Sequence, residues 1–107
     1  MDRLKVRFLA HNLINLSYLI GTLDEKLKNN TSKEQILIDL DISKIFITEL
    51  YNDEFISEEF EENFLKLIED LKEEVKNNNI SEKNLEKIHN FCGDLEKETT
   101  NNIIYIP

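Results

Sequence analysis

"ILIDLDI", residues 36–42, alternates Ile36, Ile38, Leu40 and Ile42 with Asp39 and Asp41, the pattern of a strand with one apolar face. A strand needs a partner strand, and a sheet needs tight turns. Gly occurs twice in 107 residues and Pro once, at Pro107, so the residues that punctuate sheets are nearly missing. The stretch is therefore read as helix, and the chain with it as all-α. Ile36, Leu37, Leu40, Ile47 and Tyr51 then cover one side of this helix, while Ile38, Ile42 and Ile45 cover nearly the opposite one. That is more apolar surface than one small core uses.

The segments on either side carry clearer helical spacing. Before it, Val6, Leu9, Leu13, Leu16, Ile20, Leu23 and Leu27 recur at alternating gaps of three and four, the seam of helices packed at a shallow angle. Thr31 or Ser32 can cap the helix containing "ILIDLDI", because Glu34 and Gln35 follow three residues later. After it, Ser57 caps a third helix with the core stripe Phe60, Phe64, Leu67, Ile68, Leu71 and Val75. Ser81 caps a fourth, in which Leu85, Ile88, Cys92 and Leu95 repeat the seam. "NN" at 29–30 and "NNN" at 77–79 close the first and third helices.

The sequence thus predicts a single domain with helices at about 3–29, 33–51, 57–77 and 82–98, connected by short polar links. Short links make neighbours antiparallel, which gives an up-down four-helix bundle. An apolar C-terminal tail, residues 99–107, follows with Ile103, Ile104, Tyr105 and Ile106 and is expected to fold back on the bundle.

The net charge is −9, and it is concentrated. Residues 49–74 hold eleven acids against Lys66 and Lys72, while the remaining acids and bases balance. Residues 1–33 lean the other way, with six bases against three acids. An acidic total repels phosphate, so direct nucleic-acid binding and adsorption to anionic membranes are not expected. Arg3, Lys5 and Arg7 precede an apolar run, but His11, Asn12, Asn15 and Ser17 interrupt it, so it reads as a helix rather than a secretory signal. With Cys92 as the single cysteine, an internal disulfide is impossible and a cytoplasmic setting is expected.

Few residues are arranged for catalysis or metal binding. Glu86 and His89 form one Glu-x-x-His pair, and His11 has no acid three residues before it, so a two-metal bundle site is incomplete. Arg7 and His11 share a helix face and read as a surface pair. Cys92 falls in a core seam, and Ser57 and Ser81 are explained as caps. A phosphate-cradling loop needs more glycines than this chain has, and no Gly or closing Glu follows Asp39 and Asp41 at calcium-loop offsets. The expectation is a protein that is not an enzyme and carries no cofactor.

Two surfaces remain as binding candidates. Glu58, Glu59, Glu61, Glu62, Glu69, Asp70, Glu73 and Glu74 present negative charge on consecutive turns of the third helix and suit a protein partner with a basic surface. Inhibitors that mimic nucleic acid, of the anti-defence or immunity type, act on nucleic-acid-handling enzymes and toxins in this way. Ile38, Ile42, Ile45 and Tyr105 are the alternative, an interface in a homodimer or larger complex where the chain serves as a structural or adaptor subunit.

Overall fold

The computed structural model describes residues 14–16, 18–19, 22–29 and 32–103, and among these every regular element is α-helical. Residues 14–16 and 18–19 are helical, followed by α1 (Leu23–Lys28), α2 (Lys33–Asn52), α3 (Glu58–Lys76) and α4 (Glu82–Ile103). The "ILIDLDI" stretch lies inside α2, so the helical reading holds. Val6, Arg7, Leu9, His11, Leu13, Ile20, Thr31 and Tyr105 lie outside the described residues.

Thr22 sits inside the helix expected at about 3–29, next to Gly21, a residue that in a helix can mark a bend or close packing. Thr22 has turn geometry, with φ −94° and ψ 2°. Its N–H nonetheless donates to the Tyr18 carbonyl at 3.1 Å, and its own carbonyl accepts from Lys26 N–H at 3.0 Å. Helical hydrogen bonding therefore carries across the irregularity.

Serine side chains open the next helices as anticipated. Ser32 accepts from Gln35 N–H at 3.2 Å, Ser57 from Phe60 N–H at 3.1 Å and Ser81 from Asn84 N–H at 3.2 Å, each satisfying a donor that the first turn leaves unpaired.

The exits of α2 and α3 share one device. At the first, Glu54 N–H donates to Tyr51 O and Phe55 N–H to Leu50 O, with Glu54 at φ 67°. At the second, Asn78 N–H donates to Val75 O and Asn79 N–H to Glu74 O, with Asn78 at φ 53°. Both are Schellman endings, in which one left-handed residue turns the chain so that the last carbonyls find donors. Asn tolerates that conformation, whereas Glu is strained in it. The first ending also swings Phe55 and Ile56 into the core, where both are buried although neither is helical.

The core joins Leu16 and Leu23 from the N-terminal part, Ile36, Leu40, Ile47 and Leu50 from α2, the stripe Phe64, Leu67, Ile68, Leu71 and Val75 from α3, and Ile88 and Leu95 from α4. Phe91 meets Phe60 and Phe64 edge-on, at centroid distances of 5.2 and 5.4 Å. Two hydrogen bonds join helix ends. Lys33 at the start of α2 donates to the Lys76 carbonyl at the end of α3, and Glu98 near the end of α4 accepts from Ser57 N–H at the start of α3.

Three buried polar residues all find hydrogen-bond partners. Asp39 is buried and accepts from Lys26 at 2.5 Å and from Gln35 Nε2 at 3.0 Å, while Ser43 donates to the Asp39 carbonyl. Thr99 is buried and donates to the Leu95 carbonyl at 2.8 Å. Thr99 also marks a correction, because α4 runs to Ile103 where a tail was expected from residue 99. In this added stretch Thr99 is buried against the core, and the burial offsets the slight cost of a hydroxyl bonded back to its own helix. Residues 104–107 of that tail lie outside the described residues.

Replacing Glu54 with Gly should stabilise the fold by about 0.5–1 kcal/mol, since Gly adopts the left-handed conformation freely. The urea midpoint reads this, and an unchanged or lowered midpoint would show that the Glu54 side chain makes a compensating contact. Removing the partly buried Asp39 carboxylate as Asp39→Ala should cost about 1–3 kcal/mol, because Lys26 is left without its partner.

Candidate protein-binding surface

α3 presents its apolar stripe inward, so its acids are left to the outside and the flanks. Glu58, Glu59 and Glu61 occupy its first turn, where the positive end of the helix dipole favours carboxylates. Glu58, Glu59, Glu62, Glu69, Asp70 and Glu73 are exposed, and Glu61 and Glu74 are half-buried.

The eight acids divide into two groups by what surrounds them. Toward the C-terminal half, Glu69 Oε1 lies 2.6 Å from Lys44 Nζ and 3.9 Å from Lys72 Nζ, and Lys72 reaches Asp41 at 2.7 Å. The hydrogen bond from Lys44 holds the Glu69 carboxyl below its ordinary value, and the hydrogen bond to Asp41 raises Lys72. These ions bind α3 to α2. Glu74 ties α3 to α4: it accepts from Ser81 N–H at 2.9 Å, Asn84 Nδ2 at 2.7 Å and the Ser81 hydroxyl at 3.4 Å. Partial burial pushes Glu74 up, but the donors from Ser81 and Asn84 outweigh it and the carboxyl ends lower than usual.

At the N-terminal half the situation reverses. Glu58, Glu59, Glu61 and Glu62 form no ion pair with any described cation. Partial burial, reinforced by repulsion from Glu58 and Glu62, raises Glu61 above its ordinary value. Among the described residues no cation neutralises the charge on the first two turns of α3, whereas further on it is partly consumed by structure.

The remaining candidates occupy simple settings. Glu86 and His89 are both exposed on α4, and among the described residues no group of three or more His, Cys, Asp or Glu side chains converges on a point. Cys92 is half-buried, and burial raises its thiol, which disfavours the thiolate. An open groove of about 430 Å³ between α3 and α4 is lined by Asn63, Lys66, Leu67, Asp70, Lys87 and Phe91. No described helix is long and apolar enough to cross a membrane. On α2, Ile38 and Ile45 are 51% and 59% exposed, and Ile42 is half-buried.

Sequence reasoning missed the structural work of Glu69 and Glu74. For Glu74 a signal existed: it precedes the cap Ser81 by seven residues across a short Asn turn, which brings a carboxylate at the end of one helix to the open N–H groups of the next. No protein-family model, curated protein or solved structure matches this chain.

Glu74→Ala should therefore cost about 1–2 kcal/mol in urea unfolding, while Glu58→Gln should change stability by less than about 0.5 kcal/mol. The pH dependence follows from the same shifts. Glu69 and Glu74 have folded values below 4.5, so their contribution is present above that pH and is lost as the pH falls through the folded values. Glu61 is shifted upward, so charging it above 4.5 weakens the fold. Stability measured against pH should lose part of its acid limb in Glu74→Gln and rise at neutral pH in Glu61→Gln; the reverse pattern would refute the assignment.

Proposed function

We propose that this chain is a small acidic protein-binding module, an up-down antiparallel four-helix bundle without enzymatic activity that acts in the cytoplasm. Its partner is a protein with a basic, nucleic-acid-binding surface, a nucleic-acid-handling enzyme or toxin. The chain inhibits that partner by occupying the surface in place of nucleic acid. The observation that carries this reading is the group Glu58, Glu59, Glu61 and Glu62, four carboxylates on two successive turns with no described cation paired to them. Their spacing lets several phosphate-binding side chains be met at once, and the field of a segment at −9 speeds the encounter. The contacts Lys33 to Lys76 and Ser57 to Glu98 support the antiparallel order of the last three helices.

The division of the acids sharpens the contact set. Asp70 and Glu73 extend the group along the outer face, whereas Glu69 and Glu74 are held by neighbouring helices and contribute less. Affinity capture at low salt tests this, comparing the native chain with Glu→Gln at 58, 59, 61 and 62. A basic nucleic-acid-binding protein is expected with the native chain and not with the variant, and raising salt should weaken the complex steeply. Equal capture by both chains, or an affinity indifferent to salt, sinks the reading.

A further inference from the structure

Helices α3 and α4 cap one another, and we infer that Glu98 of α4 is the positioning residue for the acidic first turns of α3. In a capping box the residue three places after the cap serine returns a carboxylate or amide to that serine's own N–H. α2 has Gln35 at this place, but α3 has Phe60 and α4 has Asn84. Each of the two borrows what it lacks from the other. Glu98 Oε1 accepts from Ser57 N–H at 3.1 Å at the head of α3, and Glu74 Oε1 accepts from Ser81 N–H at 2.9 Å at the head of α4.

Both clasps belong to one register. Ser57 and Phe64 are seven residues apart on α3, and so on α4 are Glu98 and Phe91, the ring that meets Phe64. Ten more residues lead forward to Glu74 and ten more lead back to Ser81. The clasps are therefore seventeen residues apart on either helix, about 25 Å at the helical rise. The helices can be matched in this way because they are laid out alike. Ser57, Phe64, Leu71 and Glu74 have Ser81, Ile88, Leu95 and Glu98 as their counterparts, each 24 residues later. Of the two clasps, the one at Ser57 bears on the surface. Glu98 brings a carboxylate to an end that already carries Glu58 and Glu59, where the Ser57 N–H and the positive end of the helix dipole favour it against like charge. With its N–H held by Glu98 and its hydroxyl holding Phe60 N–H, Ser57 leads the chain into Glu58, Glu59, Glu61 and Glu62 in one fixed direction. Carboxylates fixed in direction lose less freedom when a basic partner arrives. The functional half of this inference rests on the acidic-face reading, and the capping half does not.

Backbone amide exchange and binding of octa-arginine, on the full chain and its Glu98→Ala and Glu98→Gln variants, test both halves. In Glu98→Ala the Ser57 amide should exchange about tenfold faster or more, while the Ser81 amide, held by Glu74 at the other end, keeps its native rate. Glu98→Gln retains an oxygen acceptor and should restore most of the protection. At low salt octa-arginine should bind Glu98→Ala about three- to tenfold more weakly than the native chain, with Glu98→Gln between the two. An unaltered Ser57 amide in Glu98→Ala, exchange as fast in Glu98→Gln as in Glu98→Ala, or Ser57 and Ser81 amides that accelerate together would overturn the positioning role. So would an equal loss of binding in both variants, which would mean that Glu98 acts through its charge alone. Octa-arginine that binds the native chain and Glu→Gln at 58, 59, 61 and 62 with one affinity would instead overturn the acidic-face reading, with the amide rates still deciding the role of Glu98.

Discussion

The apolar stripe of α3 has to be sheltered on two flanks, and the rest of the fold answers to that need. Phe64, Leu67, Ile68, Leu71 and Val75 are all buried, and each is worth about 1.5–3 kcal/mol when removed from water. One neighbouring helix cannot cover a stripe that wide. α2 closes one side with Ile36, Leu40 and Ile47, and α4 closes the other with Ile88 and Leu95, while Phe91 sits edge-on to two rings of α3. The position of α3 between two neighbours then decides what each of its acids can do.

Acids on the flanks become part of the scaffold, and acids toward solvent keep their charge. Glu69 faces the lysines that bridge to α2, and Glu74 faces the Ser81-capped start of α4. Glu58, Glu59 and Glu62 are exposed. A single amphipathic helix therefore carries two kinds of carboxylate that composition cannot tell apart. This division bears directly on function, because a carboxylate already holding three donors has little left to offer a partner.

Much of the fold was legible in the sequence. The seam spacing of α4, the stripe of α3 and the three serine caps are local signals, and local signals survive folding when nothing opposes them. Leu16 and Leu23 of the first seam are buried as their spacing implied. Three features were not legible. The helix end at Glu54 needs a left-handed residue, and a glutamate gives no hint of one. The extension of α4 to Ile103 carries Thr99 into a buried place, and no window of sequence shows that burial. The partners of Glu69 come from α2, twenty-five residues away, and only the packing of two helices brings Lys44 within reach.

The turn joining α2 to α3 has a kinetic side as well. Phe55 and Ile56 are fully enclosed although they follow the helix by only a few residues, so the link that reverses the chain is itself a nucleus of burial. The neighbours of α3 are its neighbours in sequence, which keeps the loops that must close short and the contact order low. Assembly can therefore begin at this hairpin before either end of the chain has found its place. If this hairpin is the nucleus, destabilising substitutions around Leu50, Phe55 and Phe64 slow folding, whereas those in α4 chiefly speed unfolding.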